Sequence, residues 1–236
     1  SYSVALWREI ERIDGHRRFD LVSGPLPDLE PMAALALADI PVVVSLHTTY
    51  RLSLPHKPDW LSRPDYLARH VEPAIACENR LLAKAPYLLA NSRAILDDIE
   101  AAHDVALDRG KCAIVPHGVS DLAREAPPRD PPDGGVHLLF VGRLESRKGI
   151  DALLAAAPAV LRRCPQARLD IVGDDTIARP GGGTYRDALA DDCDGRIRFH
   201  GRVGETALRR HYRDCDVLVA PSVYESFGLV FVEGMM

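Results

Sequence analysis

The sequence predicts an α/β protein of two Rossmann-like lobes, each built on a mostly parallel sheet. Three observations predict it. Short apolar runs alternate with helix-like segments along the chain, those runs are rich in Val, Ile and Leu, and a segment unfit for any core separates four of them from another four. Alternation of strands with helices gives α/β layering, and strands so continuous in branched residues are expected to be covered on both faces. The 236 residues exceed one average domain, and a 47% hydrophobic content supplies a core for each of two lobes.

In the first lobe, residues 1–123, the expected strands lie in FDLVSG from Phe19, PVVVSLH from Pro41, YLLANS from Tyr87 and CAIVPHG from Cys112. The most apolar region, MAALALADIPVVVSL, is interrupted by Asp39 and Pro41, so it reads as a buried helix followed by a strand rather than a membrane span. Residues 124–135, REAPPRDPPDGG, have the prolines, glycines and charges of a linker. The second lobe, residues 136–236, resumes with VHLLFVG from Val136, ARLDIVG from Ala167, RIRFHG from Arg196 and DVLVAPS from Asp216. A helix from near Lys148 sets Ile150, Leu153, Leu154, Ala157, Val160 and Leu161 on one face and stops before Pro165. Four strands per lobe in similar order suggest two copies of one architecture.

Bulk properties narrow the function. A formal charge of -5 and a pI near 6.0 give no basic field for a phosphate backbone, so no nucleic-acid partner is expected. The five cysteines are odd in number and never form C-x-x-C, the pattern of reduced thiols. The opening SYSVALWREIERIDG carries Arg8, Glu9, Glu11 and Arg12 where a secretory signal needs an apolar stretch. A cytoplasmic protein is expected, with peripheral contact at the inner face of the membrane left open. Ser1 and the uncapped ending VEGMM read as the ends of a fragment.

Two segments can carry chemistry. In VGRLESRKG, Val141 to Gly149, a strand ends and a helix begins; ligands of open parallel sheets bind at that edge, so Arg143 and Lys148 are placed for a diphosphate. Solvated surface charge is the competing reading. A Walker A loop is excluded because Arg147 stands where glycine must precede the lysine, and a dinucleotide fingerprint because Gly142 lacks its partner glycines. PGGG at 180–183 is loop material, and Thr184 after it reads as a cap. In APSVYESFGLVFVEGMM, from Ala220, Glu225 and Glu233 flank an expected helix start near Ser226, which would put Glu233 roughly 12 Å along the axis. The two carboxylates would then hold different parts of one long ligand, while Gly228 lets it approach the N–H groups of Phe227 to Leu229.

The ordered set VGRLESRKG, ARLDIVG, RIRFHGRV, DVLVAPS and ESFGLVFVE resembles the C-terminal donor lobe of glycosyltransferase family 4, a retaining family of GT-B fold. In the first lobe SLHTTY, LLANSRAI and IVPHGVSD are similar to that family's segments more loosely, with His117 in place of an asparagine. The resemblance implies two lobes facing across a crevice, both incomplete here. It implies that Arg143 and Lys148 hold the donor diphosphate, Glu233 the ribose, and Glu225 with the Phe227, Gly228 and Leu229 backbone the donor sugar. The turn Gly201-Arg202-Val203 would lie by the base, and His47 near the donor sugar as a catalytic group. His117 reads as structural.

A metal is not expected. Asp192-Cys193-Asp194 and Asp214-Cys215-Asp216 match the D-x-D pattern of metal-dependent transferases, but each precedes a strand, at the edge away from ligands. The expected activity is therefore metal-independent, retaining transfer from a nucleotide-sugar donor to a glycan, lipid or small-molecule acceptor, with no cofactor beyond that donor. Another GT-B enzyme, such as a nucleotide-sugar epimerase or phosphorylase, and a non-catalytic sugar-nucleotide-binding module remain the alternatives.

Overall fold

The computed structural model describes residues 2–16, 18–121, 134–174, 176, 178–179, 181–189 and 195–236. It divides into two compact units, Ser1–His117 and Gly118–Met236. Most of the expected linker, residues 124–133, and all of Asp192-Cys193-Asp194 lie outside the described residues.

The first unit opens with helix α1 (Tyr2–Asp14) and holds strands β1 (Val22–Pro25), β2 (Val42–Leu46), β3 (Tyr87–Ala90) and β4 (Cys112–Ile114). The strands are all parallel, in the order β1-β2-β3-β4. The apolar region before β2 forms the six-residue helix α2 (Met32–Leu37) and then the strand itself. Trp7 of α1 packs with Ala33 and Ala34 of α2 and Val42 of β2. Helix α3 (Glu72–Lys84) buries Leu81 and Leu82. Helix α4 (Arg93–His103) buries Ile95, Leu96 and Ile99 and starts at Ser92, whose hydroxyl accepts from the Ile95 N–H at 3.2 Å.

The second unit holds β5 (Val136–Val141), helix α5 (Ile150–Arg163), β6 (Ala167–Val172), β7 (Ile197–Gly201), helix α6 (Glu205–Asp214), β8 (Val217–Leu218) and helix α7 (Leu229–Met235). All eight expected strands are present, but the two sheets differ in order, the second running β7-β6-β5-β8. The expected repeat therefore extends to parallel α/β layering and not to strand sequence. In the second sheet the chain returns past β5 to lay down β8; in the first each strand simply follows its predecessor.

Two further expectations are corrected. On α5, Ile150, Leu153, Leu154, Ala157 and Leu161 are buried, while Val160 is 40% exposed because it lies off the face that meets the sheet. The expected cover on both faces fails for the edge strand β7, where Arg198 and His200 are exposed, whereas β6 is covered by α5 on one face and by Tyr212 of α6, packed on Val172, on the other. Ala167, Leu169 and Ile171 of β6 and Ile197 of β7 join the core under α5, whereas Arg168, Asp170, Arg198 and His200 alternate onto the opposite side. There they line a cavity of about 280 Å³ beside α6. Among the described residues, no helix is long and apolar enough to cross a membrane.

Candidate functional site

Strand order locates the second lobe's binding edge. From β5 the sheet grows to one side through β6 and β7 and then to the other through β8, so the connections leaving β5 and β8 diverge at their carboxyl ends, where open α/β sheets bind ligands. The loops that follow are 142–149 and 219–228, and they meet backbone to backbone. Gly149 has φ +73°, and a Cβ there would lie 1.9 Å from the Pro221 carbonyl oxygen. The Val223 N–H donates to the Arg147 carbonyl at 2.9 Å, and the Arg147 guanidinium donates to the Tyr224 carbonyl at 3.0 Å.

This junction brings three of the expected residues together. Lys148 Nζ donates to Glu225 Oε1 at 2.6 Å, and Ser222 Oγ donates to the same oxygen at 2.8 Å. Arg143 lies 3.1 Å from the nearly buried carboxylate of Glu145, which also accepts from Arg147 at 2.9 Å. Arg147 reaches Glu225 as well, at 3.9 Å. Three cations thus face two carboxylates at one sheet edge, leaving the cluster with excess positive charge. The Arg143 side chain is 58% exposed and can swing to a ligand, whereas Arg147, at 16%, is a brace between the loops. Sequence reading missed Arg147 and Glu145 as partners.

The second segment departs from expectation in its helix. α7 begins at Leu229, not near Ser226, because Gly228 takes a left-handed backbone (φ +78°) and serves as the N-cap. Ser226 and Phe227 remain in the loop, so Glu225 precedes the helix by four residues and no single helical rise sets its distance from Glu233. Glu233 stands on α7, where Tyr212 Oη donates to its Oε2 at 2.6 Å. After β7, Arg202 is 82% exposed with Asp174 at 3.9 Å, while Val203 packs against the cluster of Leu139, Val172 and Tyr212.

In the first lobe, parallel strands deliver neighbouring side chains at their carboxyl ends. His47 follows β2 and His117 follows β4, and their rings stack at 5.5 Å with an interplanar angle of 3°. Asn91, after β3 and only 3% exposed, approaches His117 Nε2 with its Nδ2 at 3.3 Å. Burial first, and the His117 charge second, push the His47 pKa below its usual value, which favours the neutral ring. His117, read from the sequence as structural, stacks directly on the candidate His47.

Beneath this edge a buried network fixes the loop after His47. Glu78, fully buried, accepts from the Tyr50 N–H at 2.6 Å and the Arg51 N–H at 3.3 Å. Thr49 Oγ1 accepts from the Leu52 N–H at 2.9 Å and lies 3.0 Å from His103 Nε2. His103 Nδ1 is 2.6 Å from Asn79 Oδ1, so that nitrogen is the donor and Nε2 the acceptor from the Thr49 hydroxyl. The pair Glu78 and His103 sits on facing helices, and no local sequence signal announced it.

At the amino edge of the second sheet, Asp214 ends α6 and Asp216 Oδ2 accepts from the His137 N–H at 2.8 Å, which makes this D-x-D a helix-to-strand turn. Thr184 caps the turn at Asp187–Leu189, its Oγ1 accepting from the Asp187 N–H at 3.2 Å. Among the described residues, no group of three or more His, Cys, Asp or Glu side chains could hold a metal ion.

Residues 1–124 match the family described as Glycosyltransferase Family 4, and residues 135–236 match Glycosyl transferases group 1. A glycogen synthase of Mycobacterium tuberculosis is 31% identical over 208 residues, which cover 85% of this chain and 46% of that protein. A D-inositol 3-phosphate glycosyltransferase of Kineococcus radiotolerans is 35% identical over 219 residues, covering 83% of this chain and 46% of the relative. The chain thus spans about half the length of these curated relatives. Among solved structures, sucrose-phosphate synthase from Thermosynechococcus elongatus superposes with a TM-score of 0.72 at 20% identity, covering 97% of this chain and 56% of that one. Anabaena HepE, solved in complex with UDP-glucose, gives 0.63 at 19% identity, with 97% and 60% covered. These likenesses bear out the α/β, GT-B fold class.

Proposed function

Because the chain belongs to glycosyltransferase family 4, we propose that it is the donor-binding part of a retaining enzyme that moves a sugar from a nucleotide diphosphate to an acceptor hydroxyl without a metal. The observation that carries this reading is the contact of Lys148 with Glu225 at the β5/β8 switch point, with Arg143 beside it. Transfer breaks the bond between a sugar and a phosphate, so negative charge grows on the leaving diphosphate while positive charge grows on the ring. A cation must then stand on one side of that bond and a carboxylate on the other. Lys148 and Glu225 supply one of each at this junction, and the 2.6 Å contact between them must part to admit the donor.

In this reading Lys148 and Arg143 neutralise the diphosphate directly, so a carboxylate-held cation is unnecessary. Glu225 and the backbone of Phe227, Gly228 and Leu229 face the donor sugar, Glu233 holds the ribose, and Arg202 and Val203 border the base. His47, kept neutral, offers a ring nitrogen to a sugar hydroxyl. The acceptor is a glycan, a lipid headgroup or a small polyol; relatives named for glycogen and for inositol 3-phosphate support hydroxyl-rich acceptors.

The test is substitution at the phosphate cations. Arg143→Ala or Lys148→Ala should weaken nucleoside diphosphate binding by roughly 1.5–3 kcal/mol, the scale of a charge-assisted hydrogen bond, with a smaller effect on the nucleoside alone. Equal calorimetric losses for nucleoside and diphosphate would place both side chains away from the phosphates.

A further inference from the structure

Glu233 is the one carboxylate of the candidate site that touches no cation among the described residues; its partner is the phenol of Tyr212. Tyr212 is not free to serve a ligand. It stands on the inner face of α6, 9% exposed, with its ring against Leu139 of β5 and Val172 of β6 and beside Val203, Leu208, Leu218 and Val230. From that packed position its Oη donates to Glu233 Oε2 at 2.6 Å. Burial, with the Glu233 carboxylate as the next cause, pushes the phenol well above its usual pKa, so it remains a donor.

The consequence is geometric. A carboxylate on a helix rotates about its last torsion, and a single strong bond to a rigid donor stops that rotation. One lone pair of Oε2 is taken, leaving Oε1 and the second lone pair of Oε2 in a fixed plane. Two acceptor directions side by side in one plane match the two vicinal hydroxyls of a ribose, and match a 2′-deoxyribose only half as well.

We propose that Tyr212 is a positioning residue that locks Glu233 as a cis-diol acceptor and thereby makes the donor site select ribonucleotides over 2′-deoxyribonucleotides. This rests on the nucleotide-sugar reading given above. The phenol acts through Glu233 and contacts no reacting atom. It also links α6 to α7, so the bond couples the base-bordering turn after β7 to the helix that carries the ribose acceptor.

The experiment measures uridine, adenosine and guanosine diphosphates and their 2′-deoxy counterparts by calorimetry against the wild-type chain, Tyr212→Phe and Glu233→Gln. For the nucleotide that binds best, wild type should prefer the ribo form by about tenfold, the scale of one hydrogen bond to a charged group. Tyr212→Phe should cut that preference to about threefold or less, mainly by weakening the ribo form, and Glu233→Gln should cut it at least as far. A merely structural role for Tyr212 would lower both forms equally and leave the ratio intact, which overturns the proposal. Equal affinity of wild type for ribo and deoxy forms also overturns it, while leaving the diphosphate assignment standing. Failure of wild type to bind any of the six removes the nucleotide reading itself. Should Tyr212→Phe misfold, Glu233→Gln still reports whether the carboxylate reads the diol, and Tyr212→Trp, which retains a ring and loses the phenol, replaces the first variant.

Discussion

Gly149→Ala is expected to destabilise the second lobe by about 3 kcal/mol or more and to disrupt the candidate site at the β5/β8 edge. The residue has φ +73°, a conformation costing an L-residue about 1–2 kcal/mol, and the new methyl would lie 1.9 Å from the Pro221 carbonyl oxygen and 2.6 Å from its carbon. Those are backbone atoms, so relief requires parting loop 142–149 from loop 219–228. Parting them breaks the Val223–Arg147 backbone bond and the Lys148–Glu225 contact together. Amide hydrogen exchange of β5 and β6 reports on this lobe separately. Gly204→Ala is the control: its φ is −73° and nothing lies within 4 Å of an added Cβ, so a change of about 0.5 kcal/mol or less is expected. Equal exchange protection in the two variants would contradict the proposed contact.

Glu78→Ala should cost the first lobe about 2–4 kcal/mol, because two backbone N–H groups lose their acceptor and a cavity opens beside α3. The milder Glu78→Gln tests the electrostatics. Burial raises the Glu78 carboxyl to about 7 against the two N–H bonds that lower it, and burial holds His103 down at about 4. A raised carboxyl contributes stability that is full below its ordinary 4.5 and is lost as pH rises toward 7. A depressed imidazole contributes stability that is full above its ordinary 6.5 and is lost as pH falls toward 4. The two trends oppose each other in the wild type. In Glu78→Gln only the second survives, so the stability gap between wild type and variant should narrow from pH 5 to pH 8. Both tryptophans, Trp7 and Trp60, lie in this lobe, so their fluorescence during urea unfolding reads the gap. Parallel pH profiles would contradict the assignment of Glu78.

What the sequence made legible follows from what is local. Each strand was visible as a run of branched residues, and the β5-to-α5 junction with Arg143 and Lys148 could be placed because strand and helix periods change within nine residues. The polar side of β6 and β7 was also written in the alternation of ARLDI and IRFH, but their apolar positions outweighed it. The start of α7, expected near Ser226, was misplaced because only the left-handed backbone of Gly228 moves it to Leu229. The other omissions are long-range. Arg147 meets Tyr224 and Lys148 meets Glu225 across 77 residues, and Tyr212 meets Glu233 across 21, separations at which a single sequence carries no pairing signal. His117 is of this kind too: its contact with His47 depends on strand order, which the apolar pattern alone does not determine.

The central claim, that the β5/β8 edge neutralises a nucleoside diphosphate with its own cations, is tested most directly by one titration. Uridine, adenosine and guanosine diphosphates are titrated into the chain in excess chelator, and again in Mg²⁺ or Mn²⁺ at about millimolar concentration. The account predicts that at least one diphosphate binds, that its affinity is comparable in the two conditions, and that the matching nucleoside binds far more weakly. Absence of binding by all three, or binding that appears only when the metal is present, would contradict it.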